Sequence, residues 1–228
     1  MQVIKSSVFK NHLPLELVVL EFDADSYEPQ SFDLFNQPFP ERIKKAVLKR
    51  QAEYLAGRIC ATQALTALNI DNPIVHTADD RVPIWPTETF GSITHTKGIA
   101  AAIAGIQDRA TGVGIDIEKL MKDSQETKLQ THILRDDEKT QFHELGKQVT
   151  HPLSVIFSAK ESIYKALYPF VKKYFGFDKA KLIALNETVL TFEIMHDLSK
   201  QVQIGLEVNV HYQLIDDLVF TQCLFTTT

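Results

Sequence analysis

Apolar residues recur along this chain with two spacings, and the switches between them mark its elements. The first forty residues alternate over short stretches and read as strands and loops, with residues 15–22 the clearest strand. After Pro38 and Pro40 the spacing becomes helical. Ile43, Val47, Leu55, Ile59, Leu65 and Leu68 predict one long helix over 41–68, and proline suits its start. Residues 69–86 read as loop, broken by Pro73, Pro83 and Pro86. Strand patterns follow at 91–95 and 99–106 around a Lys97-Gly98 turn, and again at 111–118. A helix is predicted over 136–145 and another from about Ser158. Strands are predicted at 189–194, 203–212 and 218–225. Helix and strand interleave in both halves without a regular βαβ rhythm. This predicts an α+β fold, with two similar halves joined near 107–112 and no visible internal repeat.

Composition narrows the class. A chain of 228 residues, 44% hydrophobic and 23% charged, buries a substantial core. No run approaches the roughly 20 apolar residues of a membrane span, and Met1-Gln2-Val3-Ile4-Lys5 lacks a signal-peptide pattern. A cytoplasmic protein is expected. Cys60 and Cys223 have no metal-type spacing and read as reduced, buried thiols. The formal charge of −5 argues against broad nucleic-acid binding but leaves room for a local anion site. Basic residues cluster at Lys44, Lys45, Lys49 and Arg50, at Arg58, and at Lys172-Lys173. Each cluster reads as a solvated helix face or as such a site.

The chemistry concentrates in two acidic segments. In Gly112-Val113-Gly114-Ile115-Asp116-Ile117-Glu118, alternation puts Val113, Ile115 and Ile117 on one face and Gly114, Asp116 and Glu118 on the other. Same-face neighbours lie about 6.5–7 Å apart, so both carboxylates can lean on one hard cation such as Mg2+. The two glycines let a ligand or another backbone approach closely. The plain alternative is the solvent-facing polar edge of a strand. In Phe157-Ser158-Ala159-Lys160-Glu161-Ser162-Ile163-Tyr164-Lys165, Ser158 and Glu161 have the spacing of a capping box that opens a helix, and Lys165 sits where it can pair with Glu161. The same segment can serve phosphate chemistry, with a helix N-terminus for the anion, Glu161 as metal ligand or base and Lys165 against the phosphate charge.

Taken together, the chain resembles the Sfp-type 4′-phosphopantetheinyl transferases, and within them the group of enterobactin synthase component D. The resemblance rests on Gly114-Ile115-Asp116-Ile117-Glu118 followed about forty residues later by the 157–165 segment. It extends to Arg50-Gln51-Ala52-Glu53-Tyr54-Leu55-Ala56-Gly57-Arg58, Pro83-Ile84-Trp85-Pro86, Gly91-Ser92-Ile93-Thr94-His95 and Phe175-Gly176-Phe177. In order, these cover residues 45–180. Thr94 stands where many relatives have serine. Asp79 and Asp80 precede Arg81 where many relatives place a basic residue before the Trp-Pro motif.

The resemblance implies two similar subdomains, 1–110 and 111–228, in a pseudo-dimeric arrangement with the active site in the cleft between them. It implies transfer of 4′-phosphopantetheine from coenzyme A to a serine of an apo carrier protein. The reaction would depend on Mg2+, release adenosine 3′,5′-bisphosphate and serve siderophore or other nonribosomal peptide synthesis. Asp116, Glu118 and Glu161 would hold the metal, with Glu161 also as base and Lys165 on the phosphates. Arg50 and Arg58 would bind the 3′-phosphate. Arg81, Ser92, Thr94, His95 and Lys160 would complete the coenzyme A site, although a lone strand histidine such as His95 also reads as a satisfied core residue. A monomer without a nucleic-acid partner is expected. The rivals are a non-catalytic coenzyme A or nucleotide-binding protein and a metal-dependent phosphodiesterase. Loss of Asp116 or Glu161 would have favoured the first, and the second usually wants more metal ligands than this chain supplies.

Overall fold

The computed structural model describes residues 1–107 and 111–227, and it divides into two units, Met1–Asp108 and Arg109–Thr228. The expected junction includes residues 108–110, which lie outside the described residues.

The first unit contains β1 (Val3–Ser6), β2 (Glu16–Phe22), α1 (Ser31–Leu34), α2 (Glu41–Lys44), α3 (Leu48–Ala67), β3 (His76–Thr77), β4 (Pro83–Ile84), β5 (Thr89–Thr96) and β6 (Ile99–Ile106). Its main sheet is antiparallel in the order β1-β2-β6-β5, and β3 pairs with β4 in a separate two-stranded sheet. Helix α3 packs on this sheet because both surfaces are small. Ala52, Ala56, Cys60 and Ala64 of the helix share a buried core with Ala100, Ala102 and Ala104 of β6. A Cβ at Gly57 would lie 2.8 Å from Ile93. The β5–β6 turn needs Gly98, whose φ is +77°.

The single helix expected over 41–68 is broken. Val47, predicted to share in its apolar face, is instead 73% exposed, and its neighbour Leu48 is 58% exposed. The physical reason is Gln51. Its buried side-chain amide donates to the carbonyls of Lys44 (3.1 Å) and Ala46 (2.8 Å), acceptors left over where α2 ends. Tyr27 donates to its other oxygen at 2.7 Å. Helix α1 lies within a stretch expected to be strand and loop.

The second unit contains β7 (Thr111–Lys119), α4 (Asp123–Ile133), a 3-10 turn (Asp136–Glu138), α5 (Lys139–Gly146), α6 (Pro152–Val171), a second 3-10 turn (Phe177–Lys179), β8 (Ala180–Leu185), β9 (Val189–Ile194), β10 (Glu207–Ile215) and β11 (Leu218–Thr226). Its sheet is antiparallel in the order β7-β11-β10-β9-β8, and α6 packs across one face. The mixture of helices and antiparallel sheets is the α+β class expected.

Helix α6 begins six residues earlier than predicted. Pro152 occupies its first turn, and Glu126 of α4 accepts from the Ser154 backbone N–H at 3.2 Å, satisfying one of the orphan donors. Ser158 and Glu161 are therefore mid-helix residues, and the capping box read from their spacing does not exist. The expected anion site at that helix start goes with it.

The polar face of β7 is likewise not a solvated edge. A Cβ at Gly112 would come within 2.1 Å of the Ala166 carbonyl, and one at Gly114 within 1.8 Å of the Ser162 carbonyl. The glycines admit the backbone of α6. Gly114→Ala should therefore destabilise the protein by about 3 kcal/mol, since the obstruction is main chain that cannot swing aside. Gly146→Ala, whose Cβ would meet Pro152 at an ordinary 3.7 Å, should change stability by less than about 1 kcal/mol. Urea unfolding of the two variants checks the contrast.

Candidate active site

In the second unit, the close approach of α6 to β7 brings the candidate acids together. Asp116 is 4% exposed, and both of its oxygens have partners. Lys165 donates to Oδ1 at 2.7 Å and also to the Ile115 carbonyl at 2.9 Å. Ser158 donates to Oδ2 at 2.9 Å. Lys165 thus reaches across to the strand.

Thr221 is a contributor the sequence reading missed. It lies opposite Asp116 in the β7–β11 ladder, and its hydroxyl meets those of Ser158 (3.0 Å) and Ser162 (2.6 Å). It also donates to the Ser158 carbonyl at 3.0 Å. No local signal marks a threonine within an apolar strand. Only the register places it beside Asp116.

Glu118 and Glu161 are half-buried around this pair. Burial, reinforced by the charge of Asp116 and opposed by Lys165, pushes the Glu118 carboxyl up to about 7. Burial also raises Glu161, with Lys165 opposing and Asp116 reinforcing. The carboxylates therefore sense one another, and a shared cation would relieve that repulsion. Among the described residues no three such side chains are drawn close enough, as they stand, to enclose an ion. The donor chemistry nevertheless fits a hard divalent cation, since all three groups offer carboxylate oxygens.

Lys160 departs from its expected place. Its side chain is 1% exposed and its ammonium is bonded to Glu138 at 2.7 Å and to the carbonyls of Ile133 and Phe177. An ammonium has three hydrogens, and all three are used, so none is available here for a phosphate. The helix runs through residue 160 from Pro152, and this buries the face on which Lys160 lies.

In the first unit, α3 sends its two arginines toward different strands. Arg50 meets His95 Nε2 on β5, and Glu53 Oε2 lies 3.6 Å from Arg50 and 3.9 Å from His95 Nδ1. The side chain of Arg50 is 46% exposed. Arg58 is 5% exposed, stacked over the Tyr54 ring, and it donates to Tyr54 (3.2 Å) and to Thr77 of β3 (2.7 Å). His95 shares the α3 side of the sheet. Ser92 and Thr94, one residue out of phase, are buried on the opposite face. Arg81 is exposed on a turn with φ +77°, its backbone N–H donating to Ala78. The structure thus joins Arg50 with His95. It draws neither Arg58 nor the two hydroxyls into that contact.

The Glu118 shift has a signed consequence. In the metal-free protein its carboxyl stays protonated in the fold up to about 7, whereas in the unfolded chain it ionises from its ordinary 4.5. Between these values the folded state binds more protons, so stability falls as pH rises through that window. Glu118→Gln should remove this part of the slope. Urea midpoints at pH 5 and pH 8 should then lie closer together in the variant than in the wild type.

Comparison with known proteins accounts for both units. Residues 39–105 match the family described as the 4′-phosphopantetheinyl transferase N-terminal domain, and residues 112–223 match the 4′-phosphopantetheinyl transferase superfamily. The enterobactin synthase component D of Salmonella typhi is 36% identical over 190 residues, 81% of this chain and 78% of that one. That of Escherichia coli O157:H7 is 30% identical over 204 residues, 90% of each. The 4′-phosphopantetheinyl transferase PptT of Mycobacterium tuberculosis is 32% identical over 148 residues, 64% of each. Matched over residues 39–105 and 112–223, the chain belongs to the 4′-phosphopantetheinyl transferase superfamily, whose members move phosphopantetheine from coenzyme A to carrier proteins.

Proposed function

We propose that this enzyme transfers 4′-phosphopantetheine to a serine hydroxyl of an apo carrier protein in a Mg2+-dependent reaction that releases adenosine 3′,5′-bisphosphate. The observation that carries this reading is the grouping of Asp116, Glu118, Glu161 and Lys165 between β7 and α6. Asp116, Glu118 and Glu161 would hold the metal. When bound, Mg2+ supplies Lewis-acid stabilisation of charge on the pyrophosphate. Glu161 accepts the proton of the serine hydroxyl, directly or through a water. Lys165 steadies Asp116 and faces the phosphate charge with its ammonium.

In the first unit, Arg50 and His95 form the more accessible basic pair and bind the 3′-phosphate. Arg58 contributes its charge from behind Tyr54 and Thr77, and Arg81, exposed on its turn, contacts the nucleotide, whereas Ser92 and Thr94, buried on the other face of β5, act only through the strand that places His95. The component D names of the relatives support a role with carrier domains of siderophore-type peptide synthesis. Two free, buried thiols suit a reducing, cytoplasmic setting. Among the described residues no helix is long and apolar enough to cross a membrane. We take the working form to be a monomer.

Incubation with coenzyme A, Mg2+ and an apo carrier protein should add one phosphopantetheine mass to the carrier. Unchanged mass on several carriers would falsify the reading. Hydrolysis of coenzyme A alone, with no modified carrier, would instead favour a phosphodiesterase. Glu161→Ala should lower kcat by about 10²–10⁴-fold. Since Glu161 is not a helix cap, the unfolding midpoint should hold or rise. Arg50→Ala should raise the KM for coenzyme A about ten- to a hundredfold while leaving stability nearly unchanged, because its side chain is half exposed.

A further inference from the structure

A buried ion pair stands beside Glu161 and takes part in none of the chemistry above. Lys160 and Glu138 meet at 2.7 Å with side chains 1% and 0% exposed. Lys160 also donates to the carbonyl of Ile133, the last residue of α4, at 2.9 Å and to that of Phe177 at 3.2 Å. Glu138 accepts from the backbone N–H of Arg135 on Oε2 and of Leu182 on Oε1, both at 2.7 Å. One pair therefore ties α6 to the end of α4, to both 3-10 turns and to β8.

Its position relative to the reaction is specific. Lys160 and Glu161 are neighbours in α6, and both line a cavity of about 170 Å3 whose wall includes Tyr174, Phe175 and Phe177. The carbonyl that Lys160 holds belongs to Phe177 of that wall. Burying two full charges brings little net stability over an apolar pair of equal volume, because desolvation offsets the attraction. What the pair does supply is direction. Its contacts fix α6 against the wall to within hydrogen-bond tolerances.

We propose that Glu138 is a positioning residue for phosphopantetheine transfer: acting through Lys160, it sets the distance between the Glu161 carboxylate and the wall at residues 174–177. This rests on the reading of Glu161 as the base. Misplacement of a reacting group by about 1 Å is enough to cost up to a hundredfold in rate.

The test compares Glu138→Asp, which keeps the charge but shortens the reach, with the double variant Glu138→Met/Lys160→Met, which removes both charges at similar volume. For each, kcat, the KM for coenzyme A and the unfolding midpoint are measured with wild type alongside. Glu138→Asp is expected to fold, with kcat down about tenfold and KM within about threefold of wild type. The double variant should show the same split with a retained midpoint. A folded variant of either kind with wild-type kcat overturns the positioning role. So does a loss of rate matched by an equal loss of folded protein. A wild-type enzyme that modifies no carrier overturns the functional reading and this inference together, whereas active wild type beside equally active variants removes only the inference.

Discussion

The second unit depends on one close contact, the approach of the α6 main chain to β7 over Gly112 and Gly114. At both positions the carbonyls of α6 occupy the space where a side chain would begin. This draws the helix onto the strand and brings Ser158, Glu161 and Lys165 within reach of the acids that continue the same face. The candidate chemistry follows from that spacing. Were the helix held a side chain's length further off, Lys165 could not donate to both Asp116 and the Ile115 carbonyl.

Two lysines five residues apart on α6 show how environment divides like residues. Lys165 is 27% exposed and balances a carboxylate at the edge of the cluster. Lys160 is sealed, and burial lowers its pKa against the pull of Glu138. An ammonium in water-accessible surroundings can answer charge on a substrate at small desolvation cost. One fully surrounded by protein acceptors cannot leave them without exposing an unpaired carboxylate. Arg50 and Arg58 repeat the division on α3. One guanidinium lies half in solvent beside His95 and the other is packed on Tyr54.

Much of this was legible along the chain because strand alternation and motif order are local properties. The β5–β6 hairpin, β7 and β9 fall within a residue or two of their predicted places. Asp116, Glu118, Glu161 and Lys165 do gather in one unit. The misreadings have a common origin, in that spacing alone does not reveal where a helix begins. Ser158 and Glu161 carry capping-box spacing in mid-helix, whereas Pro152 and the distant Glu126 form the actual start. Similarly, Val47 fits the helical period, but the side chain of Gln51 stabilises a break just before α3. Glu138 lies in the stretch predicted to open a helix at 136, yet it closes a 3-10 turn and is fully buried.

The amino-acid sequence by itself determined the α+β class, the family and the candidate set of acids and bases proposed for the site. These depend on residue identity and on order along the chain. Only the tertiary structure decided which of those groups meet. It paired Lys165 with Asp116 and Lys160 with Glu138, brought Thr221 opposite Asp116, and set Ser92 and Thr94 on the sheet face away from His95. Such pairings join residues up to more than a hundred positions apart in sequence. They exist because glycine lets two backbones touch and because strand pairing fixes a register, neither of which is encoded within a single segment.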